Sequence, residues 1–171
     1  MQEHTSAITI QGNPLTLIGP QLKVGDIAPD FDVIDVDLKP VVLSSFKGQV
    51  CILSSVPSLD TPICDLQTRR FNHEASALST NVRVLTLSMD LPFAQKRWCA
   101  AHGLDRVFTL SDHRHASFGQ NYGVLIKELR LLARAVFVVD TKGILQHVQI
   151  VPEIKQEPDY AAVIQAVKHC L

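Results

Sequence analysis

The sequence predicts an α/β fold in which a central mixed β-sheet is flanked by helices. Three observations predict it. Residues 50–56, 82–88 and 135–139 are near-continuous apolar runs rich in Val, Ile and Leu, the pattern of strands buried on both faces. Stretches with apolar residues at helical spacing lie between and after these runs. The two kinds of segment alternate along the chain, as they do when helices pack on the faces of a sheet.

The elements follow in order. Ala7-Ile8-Thr9-Ile10-Gln11 and Leu15-Thr16-Leu17-Ile18 are short alternating runs around Gly12-Asn13-Pro14, which predicts an N-terminal hairpin over about 7–18. Phe31-Asp32-Val33-Ile34-Asp35-Val36 alternates weakly and predicts an edge strand; Val41-Val42-Leu43 is a further short candidate before the loop at Lys47-Gly48. After the run at 135–139, Asp140-Thr141-Lys142-Gly143 supplies a turn that returns residues 144–150 as a hairpin partner. Helices are predicted over 62–78, with Ile63, Leu66, Phe71, Ala75 and Leu78 at helical spacing, and over 92–102, where Gly103 suits the position after the last turn. The last, about 159–169, sets Tyr160, Val163, Ile164 and Val167 on one face.

Composition bounds the function. The 171 residues suit one domain over 1–171, with 46% hydrophobic and 19% charged residues, so disorder is excluded. A net charge of −1 with interspersed signs argues against a nucleic-acid partner. No apolar run approaches the roughly 18 residues of a membrane span. Residues 1–7 lack a basic stretch leading into an apolar one, so a reducing cytoplasm is the expected compartment.

Four cysteines, at 51, 64, 99 and 170, are scattered, and none forms a CxxC pair. Cys51 lies in an apolar strand with no cap or charge nearby and reads as inert core. Cys170 is penultimate and reads as exposed and incidental. Cys64 is different. Thr61 is a good N-cap and Pro62 falls at the first helical position, which leaves Cys64 in the first turn, where unpaired N–H groups and the helix dipole stabilise a thiolate. A packed hydrophobe and a reactive nucleophile are both compatible with that position. Cys99, beside Trp98, reads locally as a packing residue. With His102 it makes a C-x-x-H spacing, but no second half-site accompanies it, so no metal is expected. Asp112-His113-Arg114-His115 reads as a solvated helix start rather than a ligand set.

Pro57-Ser58-Leu59-Asp60-Thr61-Pro62-Ile63-Cys64 resembles the active-site signature of peroxiredoxins. Together with Ser88-Met89-Asp90-Leu91-Pro92-Phe93-Ala94-Gln95, Arg97-Trp98-Cys99, Ala133-Arg134-Ala135-Val136 and Glu157-Pro158-Asp159-Tyr160, it resembles the bacterial thiol peroxidases, atypical two-cysteine members of that family. The resemblance implies a thioredoxin-like fold with an N-terminal hairpin, a homodimer, no cofactor, and thioredoxin as reductant. It implies that Cys64 is the peroxidatic cysteine and Cys99 the resolving one in the same chain. It implies further that Thr61 orients the peroxide, Pro57 shields the pocket from water, and Arg134 sets a positive charge beside the sulfur.

On that reading the chain is a peroxidase reducing hydrogen peroxide and organic hydroperoxides. A Cys64 thiolate displaces alcohol or water to leave a sulfenic acid, which Cys99 converts to a disulfide. Closing a loop of about 35 residues stabilises the oxidised chain by roughly 4 kcal/mol in the entropy model, less native strain. Two other functions use the same cysteines. A thioredoxin-fold disulfide oxidoreductase is disfavoured by the missing CxxC, and a peroxide-sensing relay or binding protein differs only in lacking sustained turnover.

Overall fold

A computed structural model describes residues 1–103 and 107–171, apart from the side chain of Ser76. Ten strands, four α-helices and a single 3-10 turn over Leu43–Phe46 occur among them. The strands are β1 Glu3–Ile10, β2 Asn13–Ile18, β3 Asp32–Ile34, β4 Pro40–Val42, β5 Val50–Ser55, β6 Val82–Ser88, β7 Val107–Ser111, β8 Leu125–Ile126, β9 Ala135–Val139 and β10 Leu145–Ile150. The helices are α1 Pro62–Ser76, α2 Pro92–His102, α3 Ser117–Asn121 and α4 Tyr160–His169.

The main sheet has the order β10-β9-β5-β6-β7-β3-β4. β5, β6 and β7 are parallel, joined by α1 and α2, whereas β9 runs antiparallel to β5 and β3 antiparallel to β7. The sheet is therefore mixed, as expected, and its order and flanking helices are those of a thioredoxin-like fold. The apolar runs alternate between two cores. Val50, Ile52, Val82, Val84, Val136 and Val138 pack with Phe71 of α1 and Val163 of α4, while Cys51, Leu53, Leu85, Leu87 and Phe137 face Phe118 and Tyr122 on the other side.

The helix starts follow local chemistry. Thr61 Oγ1 accepts from the Cys64 N–H at 3.4 Å, and Pro62 opens α1. Asp159 caps α4 by accepting from the Ala162 N–H at 3.0 Å. Gly103 ends α2 at φ +60°, where its N–H donates to the Cys99 carbonyl at 2.9 Å.

Several expectations need correction. The hairpin spans 3–18 rather than 7–18, and Gln11 (φ +50°) and Gly12 (φ +79°) make its turn, with Asn13 and Pro14 already in the strand. Two left-handed residues match the twist of the flanking strands, and proline cannot supply one. β3 is not the edge, because β4 pairs on its outer side. β7, β8 and α3 were not foreseen, being short and, in β7, interrupted by the buried polar residues Thr109 and Ser111. Leu66 of α1 and Phe93 of α2 are exposed; the faces turned inward carry Cys64, Gln67, Thr68, Phe71 and Ala75 in one and Pro92, Gln95 and Trp98 in the other. Buried polar side chains displaced the faces that apolar spacing indicated.

Candidate active site

The register of the sheet assembles the site. β5 pairs with β9 so that Ser55 lies opposite Ala135, which brings the residue before β9, Arg134, to the end of β5 from which the chain leads into α1. Ser55 fastens this corner by donating its hydroxyl to the Ala133 carbonyl at 2.7 Å. Seventy residues of sequence separation thus collapse to hydrogen-bond distance: Arg134 Nη2 donates to Cys64 Sγ at 3.3 Å.

Arg134 is buried, and each arm of its guanidinium has an acceptor. Nε donates to the Ile154 carbonyl at 2.9 Å, Nη1 to Gln67 Oε1 at 2.8 Å, and Nη2 to the sulfur. Gln67 is aimed in turn by Ser54, whose hydroxyl accepts from Gln67 Nε2 at 2.7 Å. Among the described residues no carboxylate forms an ion pair with Arg134. A buried cation is expensive unless something negative offsets it, and the group within reach is Cys64. The guanidinium and the helix N-terminus together direct positive charge at one sulfur.

Thr61, which accepts from the Cys64 N–H, and Arg134, which donates to its sulfur, both open on a cavity of about 390 Å³. Ile10, Pro57, Pro62, Ile63, Leu131 and Ile154 give it apolar walls, and Lys155 adds a second cation. The sulfur has no exposure of its own. Pro57 is buried in the wall, and Ile10 arrives from the N-terminal hairpin. Glu153 holds the hairpin there: its carboxylate accepts from Thr9 Oγ1 at 2.7 Å and from the N–H groups of Gln11 and Gly12 at 3.0 and 3.2 Å. These bonds, led by that of Thr9, pull the Glu153 carboxyl down to about 2.

Cys99 lies beside the site rather than in the cavity. It packs against a small cluster formed by Val56, Leu59, Cys64 and Trp98, and its Sγ is 3.2 Å from Thr109 Oγ1 of β7. Burial pushes its thiol up, with the Thr109 hydrogen bond opposing. Both cysteines are free. The two sulfurs therefore differ in kind: one faces a cation, the other a neutral hydroxyl in a partly desolvated pocket.

The remaining candidates fall elsewhere. Cys51 is buried in β5, and desolvation pushes it up to about 12, which agrees with an inert thiol. Cys170 is half-buried rather than exposed, because α4 folds its Sγ onto the Ala166 carbonyl at 3.2 Å. No group of metal-ligating side chains occurs among the described residues. Asp112 is buried rather than solvated: its carboxylate accepts from the N–H groups of Phe118 and Gly119 at 3.0 and 2.8 Å, and burial pushes it up to about 6. Gln67 and Ser54 were missed. Gln67 stands three residues after Cys64 on the same helix face, a spacing that could have drawn attention to it.

Comparison with known proteins places these features in context. The Redoxin family matches residues 23–164. A thiol peroxidase of Oceanobacillus iheyensis is 58% identical over 159 residues, covering 93% of this chain and 96% of that protein. The thiol peroxidase of Bacillus subtilis is 54% identical over 94% of this chain and 96% of its own. Among solved structures, a peroxiredoxin-like protein from Aquifex aeolicus superposes with a TM-score of 0.89 at 44% identity, over 98% of this chain and 99% of that one.

Proposed function

The chain belongs to the redoxin family, among the thiol peroxidases, and from that premise we propose that it reduces hydroperoxides at Cys64 and resolves the product with Cys99. The observation that carries the assignment of Cys64 is the buried guanidinium of Arg134, which pairs with no carboxylate among the described residues and points one arm at that sulfur.

The reaction follows from this arrangement. The Cys64 thiolate attacks the outer peroxide oxygen in line with the O–O bond; a new S–O bond forms as the O–O bond breaks. The departing alkoxide or hydroxide takes a proton and leaves as alcohol or water. Arg134 stabilises the charge moving from sulfur to the leaving oxygen, and Gln67 and Ser54 spare it any reorientation. Thr61 Oγ1, already committed to the Ser58 carbonyl at 3.1 Å as donor, is free to accept from the peroxide O–H. The apolar walls suit the alkyl part of an organic hydroperoxide, and a volume near 390 Å³ lies in the range of small-molecule pockets.

The Cys64 sulfenic acid then condenses with the Cys99 thiol. Thioredoxin as reductant, a homodimer as the working form and the cytoplasm as compartment complete the reading, and a reducing compartment suits four cysteines that all stand free. Mass spectrometry after one equivalent of peroxide tests it. A Cys64–Cys99 linkage is expected, with Cys64→Ser inert and Cys99→Ser halting after one turnover as a sulfenic acid. Peroxide consumption by Cys64→Ser at the wild-type rate overturns it.

A further inference from the structure

Each redox cysteine has a neighbour in sequence that reaches across to the other helix. Asp65 follows Cys64, and Trp98 precedes Cys99. Asp65 Oδ1 accepts from Trp98 Nε1 at 3.0 Å and lies 3.0 Å from His102 Nε2. The His102 ring stacks on Trp98, with centroids 4.5 Å apart, and its Nδ1 is 2.8 Å from the Trp98 carbonyl. Both ring nitrogens face oxygens, one on each side of the ring. The other oxygen of Asp65 binds Arg69 at 2.8 Å, which fixes the carboxylate to its own helix.

Consecutive side chains on an α-helix point about 100° apart. With Asp65 and Trp98 facing each other, Cys64 and Cys99 are each turned away from the line between the helices. Their bonds agree: Cys64 Sγ is held by Arg134, next to β9, and Cys99 Sγ by Thr109 in β7. Those strands lie three places apart in the sheet, or about 14 Å at the usual strand spacing. A disulfide needs Cα atoms within about 7 Å and Sγ atoms turned toward each other. Rotating either cysteine inward carries its neighbour out of the Asp65–Trp98 contact.

We propose that Asp65 is a positioning residue for the resolving step. Its bonds to Trp98 and His102 hold α1 and α2 in the arrangement that keeps the two cysteines apart, while Arg134 and Thr61 hold Cys64 for peroxide attack, and release of the Asp65 bonds governs when Cys99 reaches oxidised Cys64. In that step the S–O bond of the Cys64 sulfenic acid breaks and the S–S bond forms. The Cys99 thiol proton leaves with the hydroxyl as water, and no further oxidant is needed. While the clamp holds, the sulfenic acid stays open to a second hydroperoxide, which transfers an oxygen atom to give the sulfinic acid and departs as alcohol.

This rests on the Cys64–Cys99 assignment above, and rapid-quench mass spectrometry separates the two. In Asp65→Ala, sulfenic acid formation keeps its wild-type rate. Disulfide formation accelerates about tenfold, the effect of losing one charged hydrogen bond, and the sulfinic fraction at high peroxide falls. Trp98→Phe keeps an aromatic ring against His102 while removing the N–H donor, so it shows the same direction of change if Asp65→Ala folds poorly. Trp98 is the chain's one tryptophan, so the wild-type emission changes with disulfide formation and not with the peroxide step. Disulfide formation at the wild-type rate in both variants overturns the clamp and leaves the cysteine assignment standing. Absence of any Cys64–Cys99 bond in the oxidised wild type overturns the assignment itself.

Discussion

Arg134 shows how much chemistry one residue concentrates. Its three bonded arms join the Ile154 carbonyl, the Gln67–Ser54 relay and the Cys64 sulfur. Arg134→Met retains much of the volume but removes the charge. Its expected effect is a loss of at least about 100-fold in the second-order rate constant with hydroperoxide, the scale seen when a preorganised donor is removed. Stopped-flow measurement of peroxide consumption checks it, with Arg134→Lys recovering only part of the rate because an ammonium lacks the planar fork. Gln67→Leu leaves Nη1 without an acceptor and lowers the same constant by about tenfold, in line with one lost charged hydrogen bond.

Among the elements, the N-terminal hairpin has its placement under electrostatic control. It contributes Ile10 to the cavity wall, and Glu153 fastens its tip through Thr9, Gln11 and Gly12. The carboxyl of Glu153 sits at about 2 rather than its ordinary 4.5. A lowered carboxyl stabilises the docked hairpin fully above its ordinary value and loses that contribution as pH falls from about 4.5 toward 2. Protection of the β1 and β2 amides, taken relative to their intrinsic exchange at each pH, should therefore fall over that window in the wild type. Glu153→Gln should show fast exchange there already at neutral pH, along with a raised KM for bulky hydroperoxides and a smaller change for hydrogen peroxide. Equal exchange in variant and wild type contradicts the role.

At the scale of the molecule, the hairpin must also meet the body of the fold on its inner side. Gly123, at φ +68°, lies against the Pro20 carbonyl, and a Cβ built there would collide with that oxygen. Backbone on both sides leaves nothing flexible to move. Gly123→Ala is expected to lower stability by at least about 2 kcal/mol through steric overlap and left-handed strain together. Thermal or urea unfolding measures it. Gly12→Ala, also left-handed but with open space around it, isolates the strain and should cost less.

Much of this molecule was legible in its residues. The runs at 50–56, 82–88 and 135–139 became β5, β6 and β9, because a strand covered on both faces must be apolar at every position. Thr61-Pro62 marked the start of α1, since N-cap and first-turn preferences are local. That alone placed Cys64 at a helix N-terminus and separated it from Cys51. Family resemblance named Arg134 and Cys99, although neither has a local signature. The signal failed where polar groups are buried: Gln67, Thr68 and Gln95 sit inside, and Leu66 and Phe93 outside.

The sequence by itself determined what depends on neighbours along the chain: the strands, the helix caps and a cysteine in a first turn. Only the tertiary structure decided that β9 lies antiparallel beside β5, that Arg134 is its buried entry residue, and that Asp65 reaches Trp98. Those contacts join residues 33 and 70 positions apart. Pairing register and helix packing set such contacts, and they minimise the energy of the whole sheet rather than of any one segment.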